Sequence, residues 1–241
     1  GEHTVRSISE SDFISTHFSV AKTTVKADET SWTAVFLNGR RTYLEIFAAS
    51  SAEGMEKGHS GIAFSTQRLG QLDELAERLE KLAPQGIERG LRTRKDADGE
   101  VPWFYYLGVQ SSERKGFAAW LMEVHKEYLV SRDIRASAPR QFDRRAYMSA
   151  LNPSEDSHLD DIIEVHLELS SGERTDLDLL LQGLGFHSSG SDRSTTYTSG
   201  GFSLRVSQGP DRHYRVQKVV CTTVHRLAGA HELVFGDDAA L

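Results

Sequence analysis

Apolar and polar residues alternate along this chain in a way that sorts it into short strands and a few helices. Phe13, Ile14 and Phe18 recur at nearly helical spacing after Ser9 and Ser11, so 10–18 reads as a short capped helix. The β-branched residues Val20, Thr23, Thr24 and Val25 predict a strand over 18–26, followed by a turn at 27–30 and a second strand over 31–37. Asn38-Gly39 is the strongest short hairpin signal available, because both central residues of a type I′ turn need positive φ, and it predicts an antiparallel return over 42–48. The first unit is thus helix, strand, strand, strand.

The same order then recurs. A strand over 60–66 precedes a helix over 69–83, with Leu72, Leu75, Ala76, Leu79 and Leu82 on one face and Asp73, Glu74, Glu77, Arg78 and Lys81 on the other. Pro84 and Gly86 stop it. Strands follow over 87–94, 101–109 and 117–124, the first two joined by a loop with hairpin chemistry at 95–99. Residues 131–157 are polar and arginine-rich, a connection with one helix near 141–151. A third unit opens with a strand over 162–169 and a helix over 174–184 ended by Gly185, then a small-residue loop at 188–194. Strands over 195–206, 214–225 and 231–235 follow, with turns at Gly200-Gly201 and Gly209-Pro210-Asp211, and leave the unit incomplete. The implied organisation is paired units over 1–130, a connecting segment over 131–159 and a third, partial unit over 160–241.

Composition narrows the function classes. With 28 Lys+Arg against 35 Asp+Glu, the net charge of -7 disfavours a general nucleic-acid binder and an anionic membrane surface. No apolar run approaches the roughly 20 residues of a membrane span. The single cysteine, Cys221, can form neither an internal disulfide nor a zinc ribbon, which fits a reducing, cytoplasmic location.

Three local motifs carry a family resemblance. Tyr43-Leu44-Glu45-Ile46-Phe47 resembles the "YLEL" closing strand of the vicinal oxygen chelate superfamily, which includes the glyoxalases, bleomycin-resistance proteins and extradiol-type dioxygenases. Ser60-Gly61-Ile62-Ala63-Phe64-Ser65, with Leu72-Asp73-Glu74-Leu75, resembles its opening strand and helix, and Trp120-Leu121-Met122-Glu123-Val124 resembles a second closing strand. Asp161-Ile162-Ile163-Glu164-Val165 and Leu184-Gly185-Phe186 repeat the likeness more loosely. The nearest resemblance is to uncharacterised glyoxalase-like families. It implies an α+β fold of tandem β-α-β-β-β modules whose curved mixed sheets form a cup, a small-molecule partner, and a monomer or homodimer.

The resemblance also implies chemistry. A divalent metal such as Zn, Ni, Mn or Fe on the cup floor would chelate neighbouring substrate oxygens and act as a Lewis acid in a lyase, isomerase or dioxygenase step. Glu45 and Glu123 fall on the closing-strand carboxylate positions and are the candidate catalytic residues and metal ligands. The histidine position of the second opening strand aligns with Gly61, so His59, two residues earlier and on the same face by alternation, is the candidate third ligand. His3 lies in a segment, 2–8, scarcely long enough for the first opening strand. The alternative is a metal-free protein that sequesters a small molecule in an aromatic cup. Tyr43, Phe47, Trp103, Tyr105 and His125 are the candidate substrate-binding residues, within an aromatic set that includes Trp32 and Trp120. Strand alternation places Tyr43, Glu45 and Phe47 together and sends Trp120 and Met122 away from Glu123, against a helix. His166 and Glu168 read as the polar side of a half-buried strand, Cys221 as core, and His225 and His231 carry little signal.

Overall fold

The computed structural model describes residues 2–47, 58–96, 99–110, 116–134, 140–151, 158–209 and 215–224. The protein is α+β with a curled sheet. The chain opens with helices α1 (Glu2–Ser9) and α2 (Asp12–His17), then a meander of β1 (Ser19–Ala27), β2 (Thr30–Asn38) and β3 (Tyr43–Phe47). Next come β4 (Ser60–Ser65), α3 (Gln71–Leu82), β5 (Ile87–Asp96), β6 (Gly99–Val109) and β7 (Phe117–Val124), followed by α4 (Lys126–Ser131) and α5 (Arg144–Leu151). The last part holds β8 (Leu159–Leu169), α6 (Ser171–Gly183), β9 (His187–Ser191), β10 (Ser194–Ser199), β11 (Phe202–Gln208) and β12 (Val216–Thr223).

Two sheets result. One has seven strands in the order β3-β2-β1-β5-β6-β7-β4, the other five in the order β12-β8-β11-β10-β9. Within them β4 runs parallel to β7 and β8 parallel to β11, so 60–124 and 159–208 share one connectivity. The segment 2–8, weighed as an opening strand, is helical, and the first unit is a helix pair and a meander. The 188–194 stretch, expected as a loop, is β9 and its turn, and the third unit is complete through β11. The strand expected over 231–235, with His225 and His231, lies outside the described residues.

Helix pairing also departs from the expected organisation. The second unit packs its helix against the third, not the first: Leu79 of α3, fully buried, lies against Gly183 of α6, and Leu180 joins the same cluster with Leu72, Leu75, Leu107 and Leu121. A second cluster unites Val165, Leu167, Leu169, Leu177 and Leu181 with Leu204, Val206 and Phe117. The helix layer therefore serves both sheets. α6 is fixed by a capping box, Ser170 with Glu173, and Glu173 also accepts from Arg215 Nε at 3.0 Å in a buried ion pair.

The first unit is joined more lightly. Its β1 meets β5 at one ladder pair, Ala27 with Arg94, and the join is completed by Asp28. The Asp28 carboxylate accepts from the Thr93 amide at 2.9 Å, the Thr93 hydroxyl at 3.1 Å and Arg92 Nη1 at 2.7 Å. Burial works against its ionisation, but the bonds from Arg92 and Thr93 together outweigh that and hold the carboxyl below its ordinary value. On the meander's outer face Ile8, Ile14, Val35 and Leu37 form their own small core.

The Asn38-Gly39 hairpin is not the predicted two-residue turn. Asn38 pairs with Tyr43, leaving four loop residues, and Gly39 has no positive φ. Tertiary bonding reshapes it: the Arg40 and Arg41 amides donate to the carbonyls of Leu159 and Asp160 at 3.0 Å each. Gly200-Gly201 behaves as read, with φ of 56° and 86°.

A Cβ on Gly183 would lie 2.5 Å from Leu79 Cδ2. Because Leu79 is fully buried and cannot swing away, Gly183→Val is expected to cost about 1–3 kcal/mol, read as a lower urea midpoint at unchanged m. An unchanged midpoint would show that α3 and α6 do not pack this closely.

Candidate functional site

Glu45 sits at the centre of β3 on the face that carries Tyr43 and Phe47, opposite Leu44 and Ile46, which turn to the α1–α2 core. Its register partner is Phe36 on β2, and Trp32, four residues before Phe36 on the same strand face, donates its indole N–H to Glu45 Oε1 at 2.7 Å. This face packs into an aromatic cluster built from three directions. The meander gives Val25, Ala27, Trp32, Phe36 and Tyr43; β6 and β7 give Trp103, Phe104 and Val124; α4 and α5 give Tyr128, Leu129, Tyr147 and Met148.

Electrostatics in this cluster follow from desolvation. Burial is the strongest influence on Glu45 and pushes its carboxyl above the ordinary value, the Trp32 bond and the Arg94 charge opposing in part. Burial raises the phenols of Tyr43 and Tyr147 as well, so both stay protonated. Arg94 lies with its guanidinium 5.1 Å from the centroid of Trp103. Tyr43, Glu45 and Phe47 keep part of their surface, although burial is the strongest influence on the first two. The buried Tyr128 hydroxyl has no hydrogen-bond partner among the described residues.

Trp103 enters this cluster through a bulge. The β5–β6 register shifts between Arg92 and Thr93, where Phe104 pairs with Arg92 and Pro102 with Thr93, leaving Trp103 as the extra residue. Both Trp103 and Phe104 thereby reach the same core.

Glu123 belongs elsewhere. It accepts from the Gly70 amide at 2.6 Å, the Leu72 amide at 2.9 Å and the Thr66 hydroxyl at 3.5 Å. Its carboxylate thus occupies the N-terminus of α3, where the first backbone N–H groups lack intrahelical partners. Phe117, Leu121 and Glu123 face the helices; Trp120 and Met122 point to the opposite side and are half-buried. The expected parity holds, but the side that meets the helix is inverted.

The proposed ligand set is not assembled. Glu45 is on edge strand β3 and Glu123 on β7, with β2, β1, β5 and β6 between them and opposite faces presented. His59 is exposed just before β4, at the other edge of the sheet. Among the described residues no three His, Cys, Asp or Glu side chains converge on a point. Of the candidate substrate-binding residues, Tyr43 and Trp103 join Glu45 in the cluster, and Phe47 shares its strand face. Tyr105 and His125 do not: Tyr105 pairs with Glu123 on the helix side and is exposed, its ring 5.2 Å from that of His125. His125 caps α4, its Nδ1 accepting from the Glu127 amide at 3.2 Å.

Three contributors escaped the sequence reading. Tyr128 and Tyr147 come from short helices around a polar connection, and Arg94 stands among exposed basic residues of β5, so none showed an apolar period. Elsewhere, a recess of about 360 Å³ at the start of α3 is lined by Gln67, Arg68, Gln71, Gln141 and Phe142. Burial and Asp161 push the Cys221 thiol up to about 11, which fits an unreactive packing role. No helix is long and apolar enough to cross a membrane among the described residues.

Two stability predictions follow from these carboxylates. Glu123→Ala strands two helix amides and is expected to cost about 2–3 kcal/mol, whereas Glu123→Gln, which keeps an acceptor oxygen, recovers part of it; equal urea midpoints for wild type and Ala would refute the capping role. For Glu45 the folded-state value is raised, so the folded state holds the proton more tightly than the unfolded one. Its contribution is fully present below about pH 4.5 and lost as pH rises through the raised value. The stability of wild type relative to Glu45→Gln is therefore expected to fall with rising pH across that window, and a pH-independent difference would show that Glu45 is solvated.

Comparison with known proteins is consistent with the fold and silent on chemistry. No curated protein matches the chain. The crystal structure of a hypothetical protein from Staphylococcus aureus is similar, with a TM-score of 0.51 at 8% identity over 85% of this chain and 80% of that one, a likeness of fold alone. A family model described as "Family of unknown function (DUF5829)" matches residues 2–239, and the chain belongs to that family.

Proposed function

We propose that this protein binds an apolar small molecule in the recess around Glu45, without a metal, and that 60–124 and 159–208 are paired glyoxalase-like modules. The observation that carries the reading is the placement of Glu45 and Glu123 on opposite faces. A chelate using both would have to withdraw Glu123 from the α3 amides and leave them unpaired. Glu45 alone, desolvated among aromatic rings, is a carboxylic acid over a wider pH range than usual. With Oε1 taken by Trp32, Oε2 is left to carry the proton and donate to one acceptor oxygen of a ligand. Tyr43 and Trp103 supply an apolar wall around that polar anchor, the usual make-up of a small-ligand site.

The test uses compact, non-planar ketones, from cyclohexanone to 2-adamantanone, titrated while the indole N–H resonances of the three tryptophans are followed by ¹H–¹⁵N NMR. Saturable movement of the Trp32 and Trp103 resonances is expected, with affinity falling as pH rises. Glu45→Gln, which keeps a donor but cannot titrate, is expected to bind without that pH dependence. Calorimetry of chelator-treated protein with Zn, Ni, Mn or Fe(II) supplies the opposing result: near-stoichiometric binding far tighter than about millimolar, lost in Glu45→Gln, would overturn the metal-free reading.

A further inference from the structure

The recess at the start of α3 is separate from Glu45 and is walled by two segments far apart in sequence. The arginine-rich connection closes onto the loop over 66–70 through backbone bonds. The Leu69 amide donates to the Arg140 carbonyl at 2.8 Å and the Phe142 amide to the Gln67 carbonyl at 3.1 Å, with Arg68 and Gln141 bridged between them. Gln71 shapes the same loop from the helix, its Oε1 accepting from the amides of Gln67 at 3.1 Å and Arg68 at 3.3 Å. Around the resulting space of about 360 Å³ stand three carboxamides, Gln67, Gln71 and Gln141, one guanidinium, Arg68, and one ring, Phe142. That is room for a small molecule.

The lining selects the charge of an occupant. Among the described residues that line the recess none is acidic, and carboxylates nearby in the chain are engaged. Glu123 holds the amides of Gly70 and Leu72, so a ligand in the recess meets side chains and not the end of α3. Asp143 Oδ1 accepts from the Ala146 amide at 3.0 Å, and Glu74 takes Arg68 Nη2 at 3.2 Å, leaving the other guanidinium donors for a second partner. Gln71 has its oxygen committed to two amides, so what it offers a ligand is its Nε2 donor. Arg140, next to Gln141, and Arg144, whose Nη2 donates to the Ser65 carbonyl at 3.4 Å, add positive charge on the connection side. Donors and cations thus gather here in a chain whose overall charge is -7.

We propose that this recess binds a small aromatic carboxylate, with its carboxylate on Arg68 and Gln71 Nε2 and its ring against Phe142. The planar guanidinium matches the two oxygens of a carboxylate, and the bonds are charge-assisted. Phe142 gives the apolar part of the ligand a ring to pack on. Gln67 and Gln141, each with a donor and an acceptor, serve polar substituents on that ring. The site shares no residue with the Glu45 recess and takes the opposite kind of ligand, an anion in place of a neutral ketone.

The test is a titration of the full chain with sodium benzoate at pH 7, followed by ¹H–¹⁵N NMR at the Arg68 amide and the Gln71 carboxamide. Saturable movement of both is expected, with a Kd of about a millimolar. Benzamide, equal in size but uncharged, is expected to bind about tenfold more weakly, as is benzoate to Arg68→Met. Inorganic phosphate, which has no apolar part, should also bind more weakly than benzoate. Gln71→Glu keeps the acceptor for the Gln67 and Arg68 amides, puts negative charge in the first turn of α3 where it is tolerated, and repels an anion. It should abolish the Arg68 response to benzoate while the urea midpoint stays at or above that of wild type. Resonances that stay still, that move equally with benzamide, or that respond equally in Gln71→Glu overturn the proposal. So does phosphate binding as tightly as benzoate, or the same movement with sodium chloride, which would mean an adventitious ion only. Movement confined to the Trp32 and Trp103 indoles would overturn it while leaving the reading of the Glu45 recess intact.

Discussion

The Glu123 carboxylate lies where β7 meets the start of α3, and much of the molecule's geometry follows from which way it points. Its two oxygens take up amides that α3 cannot satisfy by itself, and they do so from 53 and 51 residues away in sequence. Strand alternation then leaves no choice for its neighbours. Leu121 and Phe117 must face the helix layer with it, Trp120 and Met122 must face away, and Val124 must enter the aromatic cluster. A shift of one residue in β7 would bury Met122 against α3 and expose Leu121. The carboxylate thus fixes register as well as capping the helix.

The helix layer that Glu123 helps to anchor is shared, and this explains the unequal attachment of the three units. The second and third are joined through α3 and α6 at a contact so close that Gly183 leaves no room for a side chain. The first shares no helix with them. It is held to the second by one ladder pair, by Asp28 and by the aromatic cluster, and to the third by the Arg40 and Arg41 amides on Leu159 and Asp160, so the rings around Glu45 also attach the meander. A ligand bound at Glu45, as proposed, would therefore be linked to docking of the first unit, since a ligand that binds only the docked arrangement stabilises it by mass action.

Local pattern made most elements legible: the apolar stripe of α3, the alternation of β8 and the glycine pair at 200–201 all declare themselves within a few residues. What it could not show were bonds between distant segments. Nothing near Asn38-Gly39 announces that Leu159 and Asp160 will claim the amides of Arg40 and Arg41, yet that contact reshapes the turn. The parity of β7 was visible, but the side that meets a helix depends on α3's unsatisfied amides, which are not part of the strand. Glu45 was visible as a carboxylate in an apolar strand needing a partner; that the partner is the Trp32 indole required the β2–β3 register. Trp103 reached the site by a bulge that no period reveals. Ser170 and Glu173 had the spacing of a capping box, so the start of α6 was readable there and was placed too late.

Asp28 and Glu45 show how one unit can hold two carboxylates under opposite constraints. Asp28 is surrounded by donors, including a guanidinium, and its charge is what they bind; acid removes that charge and weakens the join to β5. Glu45 has one indole donor and a more distant arginine against a wall of rings, so its charge is what the site resists. Docking of the meander is consequently favoured above the range where Asp28 takes up a proton and below the range where Glu45 gives one up. A structural carboxylate would be expected to resemble Asp28, since pairing the charge is the cheaper arrangement. Among the described residues Glu45 has the Trp32 indole as its one hydrogen-bond donor, and this is why a ligand oxygen is proposed as its further partner.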